Sequence, residues 1–146
     1  MSSNQTIAQP DYRAESSAGV AEPPAISRRS LHVLVVDDEP ALCSLFCEML
    51  QSDGHSTEWA ADGSAALSKF ASGTFDLVIT DQSIAWMTGR ELAAEIKKLR
   101  PKVPVVLLTG LIEERAHAGS IGAIDLLLAK PISHSALRDA LAPFSG

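Results

Sequence analysis

Cysteine and aromatic side chains are scarce in this chain: its 146 residues include two Cys, four Phe, two Trp and one Tyr. Cys43 and Cys47 have no second Cys or His pair at ligand spacing, so they cannot complete a zinc site. Four apart on one predicted helix, they share a face of it. Leu42, Leu45, Phe46, Met49 and Leu50 read as that helix's apolar stripe, which leaves the thiols toward solvent or a flank, reduced and inert. No apolar run approaches the roughly 20 residues of a membrane-spanning helix. The opening Met1-Ser2-Ser3-Asn4-Gln5 lacks the basic-then-apolar order of a secretory signal, so a cytoplasmic chain with no membrane partner is expected. Positive charge is also in deficit. The formal net charge is −6, which repels a phosphate backbone and sets aside direct nucleic-acid binding.

What is present suits one domain able to bury its own core: 46% of residues are hydrophobic and 21% charged. Residues 1–30 hold Pro10, Pro23 and Pro24 among Ser, Ala, Gln and Glu without apolar periodicity, and are read as a disordered tail or linker. Their charges cancel, Arg13, Arg28 and Arg29 against Asp11, Glu15 and Glu22. The domain expected over 31–146 therefore carries the whole acidic excess.

From His32 onward, apolar runs of strand length alternate with amphipathic stretches, the mark of βαβ units in a parallel sheet. The α/β reading has five βα pairs, with strands near 32–36, 56–60, 77–80, 103–108 and 123–128, doubly wound in the order 2-1-3-4-5. The second strand, with its mixed Ser56-Thr57-Glu58-Trp59, reads as an edge. Pro40, Asp62 and Ser133 mark helix starts, and Thr88 with Glu91 forms a capping box. Leu92, Ile96 and Leu99 fall on one face of the third helix, which Pro101 stops. A short fourth helix is expected around 113–119.

Asp37, Asp38, Asp81, Thr109 and Lys130 each stand just beyond the carboxyl end of an apolar run. In a parallel sheet they converge on one crevice, where open α/β sheets bind ligands. Three carboxylates together are costly to ionise unless a cation intervenes. Such a set can hold a divalent ion, offer a carboxylate nucleophile and neutralise phosphoryl oxygens. A lone Asp capping a helix or a lone Lys in solvent would imply none of this; the combination does.

The segments Val33-Leu34-Val35-Val36-Asp37-Asp38-Glu39-Pro40, Asp76-Leu77-Val78-Ile79-Thr80-Asp81 and Leu128-Ala129-Lys130-Pro131 resemble the signature of bacterial two-component response-regulator receiver domains, over roughly residues 32–144. The resemblance implies a flavodoxin-like (βα)5 fold and a phosphoacceptor signalling domain rather than an enzyme acting on other molecules. Asp81 would accept phosphate from a histidine kinase or histidine phosphotransfer protein. Mg²⁺ or Mn²⁺ would be held by Asp38 and Asp81, by Asp37 through water, and by the main-chain carbonyl of Ser83. Lys130, before a cis Lys-Pro peptide, would balance charge, and Thr109 would donate to a phosphoryl oxygen. The first helix and the loop after Lys130 would dock the kinase. With no output domain in the chain, a downstream protein would read the phosphorylated state.

Two departures from the family pattern bear on switching. Leu127 replaces a frequent aromatic residue, which puts a ring-rotation switch in doubt. Ala85 replaces a frequent Pro and is expected to loosen Ser83 to Trp86, where Trp86 either senses the site or rests on the surface. The four histidines, at 32, 55, 117 and 134, show no ligand spacing. Three other readings remain: the receiver module of a hybrid histidine kinase, a binding module that keeps the receiver fold without using its chemistry, and a haloacid-dehalogenase-type phosphatase with Asp37 as nucleophile. The last needs acids at alternate positions, whereas Asp37 and Asp38 are adjacent. Finally, Leu111 is apolar and would obstruct water near an acyl phosphate. Slow self-dephosphorylation is predicted, and Leu111→Glu or Leu111→Asn should speed the decay of phosphorylated protein; an unchanged decay rate rejects the shielding role.

Overall fold

The computed structural model describes residues 29–110 and 122–145. The expected tail through residue 28, the fourth helix near 113–119 and Leu111 lie outside the described residues. Ser30–Leu141 form one compact unit. Outside it, Arg29 donates from its amide to the Ser145 carbonyl at 2.7 Å and from its guanidinium to the Phe144 carbonyl at 3.3 Å.

Strands β1 (His32–Val36), β2 (Ser56–Ala60), β3 (Leu77–Asp81), β4 (Val105–Thr109) and β5 (Leu126–Ala129) form a parallel sheet in the order β2-β1-β3-β4-β5, as the alternation predicts. β3 and β4 are buried throughout, as aliphatic central strands covered on both faces should be. β2 is largely exposed and lies at an edge. Two starts differ from expectation. β4 begins at Val105, after Pro104, and β5 begins at Leu126, because the Asp125 carboxylate takes the Val105 amide at 2.8 Å and the Lys97 ammonium at 2.7 Å. A side chain there does work that a strand residue would otherwise do.

Helices α1 (Pro40–Ser52), α2 (Gly63–Ser72), α3 (Gly89–Leu99) and α4 (His134–Ser145) start where the caps indicate. The Asp62 carboxylate accepts the Ala65 amide at 2.7 Å, and the Ser133 hydroxyl accepts the Ala136 amide at 3.1 Å. Both bonds of the Thr88–Glu91 capping box form, at 3.1 and 2.8 Å; such a cap stabilises a helix by about 1 kcal/mol. α3 buries Leu92, Ala93 and Ile96, but Leu99 is 52% exposed, contrary to expectation. There the chain turns away as Arg100 donates to the Phe70 carbonyl at 2.6 Å and lies over the Phe70 ring. No helix among the described residues is long and apolar enough to cross a membrane.

The face of α1 also needs correction. Its buried stripe is Cys43, Phe46, Cys47 and Leu50, while Leu45 is 44% exposed. Both stripes have helical spacing, and the less obviously apolar one is inside, because an uncharged thiol buries as a small hydrophobe. Leu42 and Leu45 are thereby left for the surface.

His55, just before β2, accepts the buried Leu31 amide on Nδ1 at 3.0 Å. Burial pushes its pKa down, against the opposing pull of Asp53. A neutral native imidazole that protonates more readily when unfolded contributes stability above the ordinary value of about 6.5, and that contribution is lost as pH falls through the lower folded value. Urea denaturation at pH 7.5 and 5.5 should therefore show a larger loss for wild type than for His55→Asn, whose amide oxygen still accepts from Leu31; equal losses reject the assignment.

Candidate functional site

The strand order brings the carboxyl ends of β1, β3, β4 and β5 side by side. Asp37 follows β1, Asp81 ends β3, Thr109 ends β4 and Lys130 follows β5. Lys130 Nζ lies 2.7 Å from Asp81 Oδ1 and 3.9 Å from Asp37 Oδ2, and the Lys130 amide donates to the Thr109 carbonyl at 2.9 Å. Asp37, Asp81 and Thr109 are buried, whereas Asp38 and Ser83 stand exposed at the rim. The Ser83 amide donates to Asp81 Oδ2 at 3.1 Å, so both oxygens of Asp81 are engaged. The Lys130–Pro131 peptide is cis.

Asp37 is the tensest group. Its Oδ1 accepts the Glu39 amide at 2.9 Å, while Oδ2 is buried with no hydrogen-bond partner among the described residues. Burial raises its pKa, and the Asp81 charge adds to this against the Glu39 amide and Lys130. Burial alone would lower the Lys130 pKa, but the bond and charge of Asp81, with Asp37 and Glu39, outweigh it and the net shift is upward. The ammonium is thus held charged beside more negative charge than it can cancel.

An orphaned buried carboxylate oxygen on Asp37, with the Asp81 carboxylate near the same ammonium, suits a hard divalent cation. Among the described residues no group of three or more His, Cys, Asp and Glu side chains is placed to hold a metal. An ion here would keep several water or phosphate ligands, in the manner of Mg²⁺.

The loop after Asp81 is pinned, not loosened as Ala85 suggested. Isolated bridges join Asp62 to Ala85 and Ser83 to Thr88, and the Met87 side chain fills the space a Cβ at Gly63 would occupy. Trp86 at its tip is 87% exposed, with φ 78°, a left-handed conformation uncommon for a bulky residue. Leu127 packs against the core. Cys43 was missed by sequence reasoning: its thiol donates to the Asp37 carbonyl at 3.3 Å, and burial followed by the Asp37 charge raises its pKa to about 11. Its signal was the i, i+3, i+4, i+7 stripe from Cys43 to Leu50.

The family model for the response regulator receiver domain matches residues 33–142. The chain belongs to this family. Transcriptional regulatory protein GlrR of Escherichia coli is 36% identical over 118 residues, covering 80% of this chain and 26% of that regulator. The chain thus spans about a quarter of that relative's length. Among solved structures, response regulator TrrA of Thermotoga maritima, in complex with Mg²⁺-BeF, superposes with a TM-score of 0.71 at 35% identity, covering 77% of this chain and 97% of that one. The chemotaxis response regulator CheY4 of Vibrio cholerae gives 0.71 at 28% identity, covering 79% and 98%. Residues 33–142 are therefore a receiver domain of the two-component response-regulator type.

Gly89, first residue of α3, packs directly beneath the site. A Cβ there would lie 2.5 Å from the Asp81 carbonyl oxygen and 2.5 Å from Leu107 Cδ1. Gly89→Ala should cost about 1–3 kcal/mol in urea denaturation, because backbone cannot yield as a side-chain tip would; a loss below about 0.5 kcal/mol, within the range of ordinary surface changes, rejects this packing constraint.

Proposed function

We propose that Asp81 is the phosphoacceptor of this receiver. The observation that carries the reading is the Lys130 ammonium 2.7 Å from Asp81 Oδ1, in a crevice where Asp37 Oδ2 lacks a hydrogen-bond partner. A carboxylate oxygen of Asp81 attacks the phosphorus of a phosphohistidine in line. The new P–O bond forms as the P–N bond to the imidazole breaks, and the donor histidine leaves. Lys130 and the Ser83 amide, already on the Asp81 oxygens, orient the nucleophile and balance developing charge. Thr109, at the end of the neighbouring strand, supplies a hydroxyl to a phosphoryl oxygen. Gly110 leaves room beside it: among the described residues, a Cβ at that position would meet nothing nearer than Lys130 Cβ, at 4.0 Å.

Asp38, Asp81 and the Ser83 carbonyl would hold Mg²⁺ or Mn²⁺, with Asp37 acting through water. The cation, when bound, neutralises phosphoryl oxygens and the surplus carboxylate charge. The phosphodonor is a histidine kinase or histidine phosphotransfer protein. A groove of about 370 Å³ lined by Leu42, Leu45, Phe46, Lys130, Pro131 and Ile132 offers it an apolar footing beside the reacting carboxylate. A downstream protein would then read the phosphorylated conformation by population shift. Because the chain covers only a quarter of GlrR, a second reading is the receiver segment of a longer regulator or hybrid kinase. The chemistry at Asp81 is common to both.

Incubation with acetyl phosphate and Mg²⁺ should place one hydroxylamine-labile phosphate on wild type and none on Asp81→Asn. Equal labelling of the two proteins, or no labelling of wild type, overturns the assignment.

A further inference from the structure

Asp37 is fixed at three of its four polar groups. Its amide donates to the Ala60 carbonyl at 3.2 Å, its Oδ1 accepts the Glu39 amide, and its carbonyl accepts the Cys43 thiol at 3.3 Å. The fourth, Oδ2, is buried with no hydrogen-bond partner among the described residues and lies 3.9 Å from the Lys130 ammonium. Of the three anchors only the thiol comes from a side chain outside the acidic segment itself. It reaches back from the first turn of α1, is fully buried, and has a second carbonyl, that of Ala60 at the end of β2, at 3.9 Å.

The Asp37 carbonyl belongs to the peptide that joins Asp37 to Asp38. Whatever holds that carbonyl holds the plane from which both carboxylates depart. Here we infer that Cys43 is a positioning residue: by donating to the Asp37 carbonyl it presets the acidic pair for a divalent cation and so governs the affinity of the crevice for that ion. The inference rests on the metal-assisted reading of the site given above. Cys47 provides an internal comparison. One turn further along α1, it is also buried, yet among the described residues its thiol has no hydrogen bond to Asp37.

Mn²⁺ alone is the probe, with free ion counted by electron paramagnetic resonance against the full chain, so no phosphoryl transfer enters the readout. Removing an outer partner of a metal ligand commonly weakens metal binding 10- to 100-fold, so Cys43→Ala should weaken Mn²⁺ binding on the order of tenfold. Cys43→Ser, which keeps a donor, should stay within about threefold of wild type, and Cys47→Ala should match wild type. If Cys43→Ala proves too unstable, Cys43→Val fills the volume without donating and takes its place. Wild-type affinity in the donorless variant, equal weakening of Cys43→Ser, or equal weakening of Cys47→Ala overturns the positioning role while leaving the phosphoacceptor reading intact. Failure of wild type to bind Mn²⁺ at all overturns the metal-assisted reading and the positioning role with it.

Discussion

The half-buried pair between Lys130 and Asp81, with Asp37 within reach of the same ammonium, is the interaction around which the carboxyl edge of the sheet is organised. Two unit charges about 4 Å apart interact by roughly 4 kcal/mol at the effective dielectric of a protein surface. One ammonium can satisfy one carboxylate at hydrogen-bond distance, and it has chosen Asp81. Asp37 is left with an unpartnered oxygen and a raised pKa, burial being the first cause and the Asp81 charge adding to it. Asp38 adds a third acid at the rim. The crevice is thus under-neutralised, which is an energetic argument for a second cation rather than an inference from residue type alone.

Only the order of strands makes this arrangement possible. β1 lies between β2 and β3, and β3 between β1 and β4, so the residues ending β1, β3 and β4 are lateral neighbours although they are far apart in sequence. The parallel direction puts every carboxyl end on one edge. The loop after Asp81 is then braced from two sides, by bridges to Asp62 and within itself from Ser83 to Thr88. Gly89 closes the approach of α3 to the Asp81 carbonyl, where a methyl group would not fit. A carboxylate held this way has little freedom, which is what the in-line attack proposed for Asp81 requires.

Much of this was legible because its determinants are local. Continuous Val, Ile and Leu runs define buried parallel strands, Asp62, Thr88 and Ser133 bind amides three residues on, and Pro40 suits the first position of a helix. What was not legible depends on tertiary competition. The carboxylate of Asp125 displaced the start of β5, and Arg100 left Leu99 in solvent by reaching back to Phe70. The left-handed backbone of Trp86 could not be read either, since a bulky residue carries no such preference. The placement of Asp38 was only half given: its position beyond β1 follows from the strand, but its exposure at the rim does not.

The misread face of α1 ties inside to outside. Leucine outranks cysteine on transfer scales, yet the helix buries Cys43 and Cys47 and turns Leu42 and Leu45 outward. A helix starting at Pro40 has one rotation, and choosing the cysteine stripe fixes both outcomes at once. Inward, the thiol of Cys43 reaches the Asp37 carbonyl. Outward, Leu42 and Leu45 become one wall of the apolar groove whose other wall is the segment from Lys130 to Ile132. Rotating α1 to bury the leucines would remove the groove and the thiol contact together, because residues 42 and 43 lie about 100° apart on the same cylinder. Apolar surface of Leu45, and part of that of Leu42, is instead left exposed beside the charged crevice, where full burial of such a side chain stabilises by about 1.5–3 kcal/mol. An arrangement that forgoes this burial while keeping a buried thiol on the Asp37 carbonyl fits the recognition proposed for that groove.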